Sequence, residues 1–468
     1  MNPAARPHAL ASGGAEIVDL RFTDMLGRWL HVAHWAAGGD AVSVEGVAVA
    51  AGNLAGWGRM EDSELRLLPD PASAFVDPFA ARPTAAIVCE AVDPLRLTPS
   101  PRDSRATLRR ALDALVRAGI ADALDVGPEL EFHLLDDARF LVSPTESFVR
   151  LAESDGLHNS SAAMEGGNPG HRVAYPAWHL ALPPADGASD MRADLLAWAA
   201  ASGLEPLHHV HEAGPSQHEI GMRHRPALAA ADAVQRLKWL IHVAARRWGK
   251  TATFMPKPMP WQPGSGLHLN LSLRREQRNL FAGDAPGALS PLAQRFLGGL
   301  VAHARALNAV LNPSTNSYKR LATLYPGAAA PSWGVANRSA PFRVPRTSAA
   351  ESRIELRFAD AAANPYLAVA AVLCAGLDGV ERGLDPGPPA TDNLRRAGEG
   401  GVRARRPESL ARDLGEAVLA LDADRAFLER DGVFAPELID ALLAELERQL
   451  HVNRGLPHPN EFYMYFSV

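Results

Sequence analysis

Three short segments of this chain alternate apolar and polar residues: GPELEF (127–132), GLHLNL (266–271) and RIELRF (353–358). Such a pattern reads as β-strand, in which residues i and i+2 point to one face. Glu129 and Glu131 therefore share a face, His268 sits on a strand after a glycine-rich turn, and Glu355 stands between Arg353 and Arg357. Two carboxylates on one face repel unless a cation lies between them. The segment HEAGPSQHE (211–219) adds Glu212 and Glu219. Any fold that brings these segments together must place cations among the acids.

Hard oxygen donors with a single nitrogen suit Mg²⁺ or Mn²⁺ better than zinc or copper. Two such ions sharing six protein ligands leave coordination positions for water and phosphate oxygens, the arrangement used in phosphoryl transfer. The arginines fit this chemistry. Arg320, Arg338, Arg343, Arg353 and Arg357 fall in one stretch, and guanidinium groups bind phosphate and carboxylate through forked hydrogen bonds.

The 468 residues suffice for two or three domains, and 47% hydrophobic with 21% charged residues is ordinary for a globular protein. A net charge of −6 gives no reason to expect nucleic acid or an anionic membrane as partner. Cys89 and Cys374 lie in no metal-type or redox-type spacing and are expected as buried thiols in a reducing cytosol. Neither a signal peptide nor a transmembrane run is read. A soluble cytoplasmic protein is expected.

Along the chain, residues 1–14 read as a loose tail. Residues 16–35 read as a hairpin turning at Leu26-Gly27, and TAAIVCEAV (84–92) as a strand. The Pro-rich, charged stretch 93–103 reads as a boundary between a small β-rich domain, 1–103, and a catalytic body, 104–468. A helix is expected from Ser104, its N-cap, to Ala118, with Leu108, Leu112, Leu115 and Val116 on one face. Further helices are expected over 190–202, 226–248, 290–312, 364–382, 407–430 and 436–450. The fold class is α+β.

Over nearly its whole length the chain resembles bacterial type I glutamine synthetase. The matching blocks are VDLRFTD, GPELEFHLLDDARF, EGGNPGHR, GKTATFMPKPM, GSGLHLNLSL, NPSTNSYKRL, NRSAPFRVP, RIELRFADAAANPYLAVAAVLCAGLDG and HPNEFYMYFSV. The resemblance implies an N-terminal β-grasp domain, a catalytic domain with an antiparallel sheet, and a dodecamer of two hexameric rings with active sites between subunits. It implies ATP and two or more Mg²⁺ or Mn²⁺ ions. Glutamate attacks the γ-phosphate of ATP to give γ-glutamyl phosphate, and ammonia then displaces phosphate. By position, Glu131, Glu212 and Glu219 correspond to one metal site, and Glu129, His268 and Glu355 to the other. Gly264, Arg320 and Arg357 correspond to glutamate-binding residues. Ser272, Arg343 and Arg353 correspond to ATP-binding residues, with Arg338 and Glu131 as catalytic ones. The Glu212–Glu219 spacing is one residue shorter than in bacterial type I enzymes, Pro263 replaces an asparagine of the acid site, and Asn270 replaces a histidine.

Two departures bear on the second step. The family's flap loop after NSYKRL carries a glutamate that takes a proton from ammonium. Here YPGAAAPSWG (325–334) follows, and no acidic residue occurs between Lys319 and Glu351. Pro326 or Ala329 stands at the glutamate's position, depending on the alignment. The family's DGSS motif supplies an aspartate to the ammonium pocket; here AAGNLAGW places Ala50 there and Asn53 at the last serine. A buried cation needs a negative partner and its deprotonation needs a base. These changes imply an amine other than ammonia, as in the family's γ-glutamyl amine ligases, with Leu54, Trp57 and Trp333 able to line an apolar pocket. A catalytically inactive structural or regulatory relative, and a true glutamine synthetase, are the alternatives. Arg395 falls where the family's adenylylated tyrosine lies, so control by adenylylation is not expected.

Overall fold

The computed structural model describes residues 14–36, 46–54, 56–57, 63–164, 166–168, 170–172, 178–285, 287–325, 330–395, 409–456, 458–459, 461 and 464. Pro326 and Ala329, nearly all of the tail 1–14 and most of the C-terminal block lie outside the described residues.

The N-terminal part is a six-stranded sheet. Its strands are β1 (Ile17–Thr23), β2 (Trp29–Trp35), β3 (Val47–Ala50), β4 (Glu64–Pro69), β5 (Phe75–Val76) and β6 (Thr84–Val92), in the order β2-β1-β6-β4-β3 with β5 beside β6. The hairpin forms as the alternation predicts, with Thr23 opposite Trp29 and Ile17 opposite Trp35. Strand β1 nevertheless buries both faces. Val18, Leu20 and Phe22 enter the core. On the other face the Arg21 guanidinium lies 4.1 Å from the Trp239 ring centroid and pairs with Asp19 at 2.7 Å and Asp77 at 2.9 Å. Trp239 belongs to the helix Ala227–Arg247, so the polar side of the hairpin meets the catalytic body rather than solvent.

A second junction is ionic. Arg105 bonds Asp70 and Glu90 of the N-terminal part at 2.8 Å each, and Asp232 of the catalytic body at 2.9 Å. Tyr366 donates to the same Asp232 at 2.6 Å. The helix carrying Arg105 spans Ser104–Arg117, and its N-cap is Asp103, whose carboxylate accepts from the Ala106 amide. Ser104 is thus the first helical residue rather than the cap. The carboxylate wins because it also accepts from the Ala91 amide at 2.9 Å, tying the helix to β6. Leu108 and Leu115 are buried as expected, but Val116 is exposed and Ala111 and Ala114 complete the buried stripe.

The catalytic body is built on a ten-stranded sheet. After β7 (Ala123–Leu135) and the separate hairpin β8 (Asp137–Val142) and β9 (Ser147–Ala152) come β10 (Pro206–His211), β11 (Gln217–Met222), β12 (Arg225–Pro226), β13 (Thr251–Thr253), β14 (Leu267–Arg275), β15 (Arg278–Asn279), β16 (Trp333–Val335), β17 (Phe342–Val344) and β18 (Ile354–Leu356). The main path is β10-β11-β7-β14-β18-β17-β16, antiparallel except for β16 with β17. One face is apolar: Leu130, Phe132, Leu134, Ile220, Leu267, Leu269, Leu271, Ile354 and Leu356 are buried in the main core. Burial of that face against helices is what fixes register, since a slip of one residue would turn every carboxylate inward.

The helices 190–202, 226–248, 364–382 and 436–450 appear within a few residues, as Ser189–Ala201, Ala227–Arg247, Pro365–Arg382 and Pro436–Arg454. The expected helix 290–312 is two helices, Pro291–Ala302 and Ala304–Leu311, broken at His303. That imidazole is held between Asp378 at 2.9 Å and Asp424 at 2.7 Å. The expected helix 407–430 begins only at Leu414, capped by Asp413, and breaks after Ala423; residues 407 and 408 lie outside the described residues. The helix Thr315–Leu324, capped by Ser314, was not anticipated. Cys89 and Cys374 are free and buried, as expected. Among the described residues no helix is long and apolar enough to cross a membrane.

Candidate active site

The face opposite the apolar one gathers the sequence-predicted residues by register alone. Glu131 stands opposite Glu219, and Glu129 opposite both Gly221 and His268. Asn270 stands opposite Glu355, which stands opposite Arg343. Ser272, opposite Asp125, continues the row. Donor atoms of Glu129, His268 and Glu355 lie within 4.8 Å of one another, and so do those of Glu131, Glu219 and His268. Glu212 lies just past the end of β10, in the turn to β11. Its carboxylate accepts from the Ala213 amide at 3.2 Å and lies 3.6 Å from His179.

Crowding sets the charges. Burial, then Glu131 and Glu219, push the Glu212 carboxyl up to about 7. Burial also raises Glu219, with Glu129 and Glu131 adding to it against the hydrogen bond from His208. Burial works against Glu129 too, but the His268 hydrogen bond and charge, Asn270 and Arg357 hold it at about 2. Burial and Arg357 disfavour imidazolium at His268, yet Glu129 and Glu131 outweigh them and raise it. Glu355 is lowered despite burial, chiefly by Arg357 and His268. The Glu131–Glu212–Glu219 end is thus short of positive charge, which a divalent cation would supply. The donor set fits a hard cation.

The arginines divide. Arg343 and Arg357 both pair with Glu355. Arg353 donates to Asn270 at 2.9 Å, and Asn270 to Glu129 at 3.0 Å. Arg338 is exposed on the turn between β16 and β17. Arg320 is buried, donating to the carbonyls of Phe358 at 2.9 Å and Arg357 at 3.2 Å. A Cβ on Gly264 would stand 2.1 Å from the Pro256 carbonyl oxygen and 3.1 Å from Arg320 Cγ. Gly264 therefore lets the loop 256–264 close over Arg320.

Three side chains escaped the sequence reading. Gln217 donates to Glu131 at 3.2 Å and to the Gly264 carbonyl at 3.1 Å, linking the acid-rich strand to that loop. It lies two residues before Glu219, so alternation alone could have placed it on the site face. His208 and His224 lie over glycines: a Cβ on Gly221 would fall 2.2 Å from the His208 ring, and one on Gly127 2.8 Å from the His224 ring. Their positions depend on pairings that the sequence does not display.

The amine-side residues are not assembled with this row. Ala50 is exposed at the end of β3, opposite Glu64, and Asn53 is exposed in the following turn. Trp57 is buried against Phe22 of its own sheet, with ring centroids 5.8 Å apart. The Trp333 indole donates to the Gly387 carbonyl at 2.9 Å. Within this single chain no ring contact joins the Trp57 and Trp333 indoles among the described residues, and Trp57 packs in the core of the N-terminal sheet.

Residues 101–465 match the family model of the glutamine synthetase catalytic domain, and residues 14–94 that of the glutamine synthetase β-grasp domain. The chain is 42% identical to Escherichia coli K12 glutamine synthetase over 456 residues, 97% of each chain. It is 39% identical to the Bradyrhizobium diazoefficiens enzyme over 462 residues, 98% of each. Among solved structures, glutamine synthetase of Plasmodium falciparum superposes with a TM-score of 0.90 at 22% identity, covering 99% of both chains. Apo GmaS superposes with a TM-score of 0.81 at 29% identity over 99% of this chain and 100% of that one, and a GmaS–ADP complex does the same.

Proposed function

Because the chain belongs to the glutamine synthetase family, we propose that it joins glutamate, or a close analogue, to an amine other than ammonia. The chain is an ATP-dependent carboxylate–amine ligase of that family. The choice of amine is our reading. One observation carries it: all six positions that the resemblance assigns to metal ligands hold Glu or His, while Ala50 and the acid-free stretch between Lys319 and Glu351 remove the two carboxylates that it assigns to ammonium.

In this reading Glu131, Glu212 and Glu219 hold one Mg²⁺ or Mn²⁺ ion, and Glu129, His268 and Glu355 another. Bound there, the ions would neutralise phosphate charge. With Glu355 serving as a ligand, Arg343 and Arg357 would be free of their pairing to it. Arg343 and Arg353, with Ser272 on the same row, then turn to the nucleotide, and Arg357 to the carboxylate of the acid. Gly264 and Arg320 shape the loop beside it. The γ-carboxylate oxygen bonds to the γ-phosphorus as the bond to ADP breaks, with Arg338 stabilising the transferred charge. The amine nitrogen then bonds to the acyl carbon, phosphate leaves, and the nitrogen loses one proton. Without a carboxylate base, a neutral amine suits this step better than a polyamine, whose second charge would seek an acid.

The Pro-rich segment 93–103 is our division between the two parts, supported by family matches that end at 94 and begin at 101. A cytoplasmic dodecamer is the expected assembly. Relatives at about 40% identity are named glutamine synthetases, which makes ammonia the second reading. The test is phosphate release by the purified protein with ATP, Mg²⁺ and glutamate across a panel of amines. Release with an organic amine at well over the rate with ammonia is expected. Release with ammonia alone overturns the proposal, and silence with every amine together with no nucleotide binding points to an inactive relative.

A further inference from the structure

We infer that Asp155 and His211 are positioning residues for Glu212, acting through a buried hydrogen-bond relay on the reverse face of the sheet. The inference rests on the reading of Glu212 as a metal ligand.

Glu212 needs such support. The regular β10–β11 ladder ends at the pair His211–His218, and past it the Glu212 amide makes one more bond, to the Gln217 carbonyl at 2.8 Å. The preceding residue fixes the other side of its backbone. His211 Nδ1–H donates to the Glu212 carbonyl at 2.8 Å. Its Nε2 meets Asp155 Oδ2 at 3.4 Å, a contact that is a hydrogen bond with one proton held between the ring nitrogen and the carboxyl. The Leu180 amide fixes the His211 carbonyl at 2.9 Å, and Trp178 stacks on the imidazole at 5.1 Å. Asp155, Trp178 and His211 are all buried. One short segment therefore covers His211 with Trp178 and touches Glu212 with His179.

Behind His211 the contact is one of packing, and His218 Nε2 makes no hydrogen bond among the described residues. His218 stands edge-on to it, with centroids 4.9 Å apart. The His218 Nδ1 lies 2.9 Å from an Arg192 nitrogen, and Arg192 pairs with Asp186 at 2.5 Å and 3.0 Å. A guanidinium only donates, so His218 Nδ1 accepts and its proton is on Nε2. Burial, then Arg192, keep this ring neutral.

These tautomers also decide against a different role. Asp155, His211 and His218 bring donor atoms within 4.8 Å of one another, a spacing that would suit a metal. The lone pair of neutral His218 is already taken by Arg192, whose positive charge stands beside it. The cluster is a scaffold for Glu212, in the way that outer hydrogen bonds orient metal ligands generally.

The test is Mn²⁺ binding to the full-length assembled protein, followed by electron paramagnetic resonance. Site-selective backgrounds separate the two ions: Glu355→Gln reports the Glu212 site, and Glu219→Gln reports the other. Asp155→Asn and His211→Phe are expected to weaken Mn²⁺ about 10- to 100-fold in the first background and less than about twofold in the second. His211→Asn, which keeps a donor near the Nδ1 position, should recover part of the loss. Equal weakening of both sites, or no change at either, overturns the inference. Failure of the unmutated protein to bind Mn²⁺ at all instead overturns the metal reading on which it rests.

Discussion

Glu212→Gln should make the metal-free protein more stable while weakening its hold on Mn²⁺. The Glu212 carboxyl is pushed from an ordinary 4.5 up to about 7 by burial and by its neighbours Glu131 and Glu219. Its ionised form is therefore disfavoured in the folded state relative to the unfolded one. The penalty is absent below pH 4.5, grows as pH rises, and is complete above about pH 7. At about 1.4 kcal/mol for each pH unit between the two values, it amounts to about 3 kcal/mol at pH 8.5. Glutamine carries no charge and escapes it. Unfolding entropy of about 2 cal/mol/K per residue converts the gain into a Tm higher by about 3–4 °C. Differential scanning calorimetry in EDTA at pH 5 and pH 8.5 reads this directly. The variant should lie within about 1 °C of the parent at pH 5 and exceed it by about 3–4 °C at pH 8.5. In Mn²⁺ at 100 times its Kd the parent gains about 2.7 kcal/mol from binding, and the order should close or reverse. A variant that is no more stable at pH 8.5 in EDTA, or equally better at both pH values, would refute the electrostatic account.

Arg105→Ala removes a buried guanidinium shared by Asp70, Glu90 and Asp232. A loss of about 3–5 kcal/mol is expected by chemical denaturation, because buried Asp232 loses its paired guanidinium while Asp70 and Glu90 keep only Arg109. Gly264→Ala places a methyl 2.1 Å from the Pro256 carbonyl oxygen. It should raise the KM for the acid at least about tenfold, by the logic that small misplacements near a site are costly, while circular dichroism stays that of the parent. Ala50→Asp or Ala329→Glu alone should leave ammonia use low in the phosphate-release assay, whereas the pair should raise it; full ammonia activity from either single change would refute the two-site reading.

The strands were legible because period-two alternation is a local signal. LHLNL (267–271) therefore lies in β14, while TAAIVCEAV (84–92), apolar nearly throughout, forms β6 with both faces buried. The breaks were less so. His303 interrupts a helical pattern because Asp378 and Asp424 clasp its ring, and those acids are 75 and 121 residues away. Val116 follows the helical period but is exposed, since what it would face is decided by other elements. Gln217 was visible in principle, two residues from Glu219; His224 over Gly127 was not.

By itself the sequence determined which residue types the site could use and which it lacks. Alternation put acids, imidazole and arginines on one side of their strands, and the absence of acid between Lys319 and Glu351 is a fact of composition. Only the tertiary structure decided who neighbours whom. The pairings Glu131 with Glu219, Glu129 with His268 and Asn270 with Glu355 join segments 85 to 139 residues apart, and burial of the opposite apolar face fixes their register. The raised carboxyl of Glu212 and the relay through His211 follow from that packing. Charge and tautomer depend on distance and burial, which no local pattern encodes.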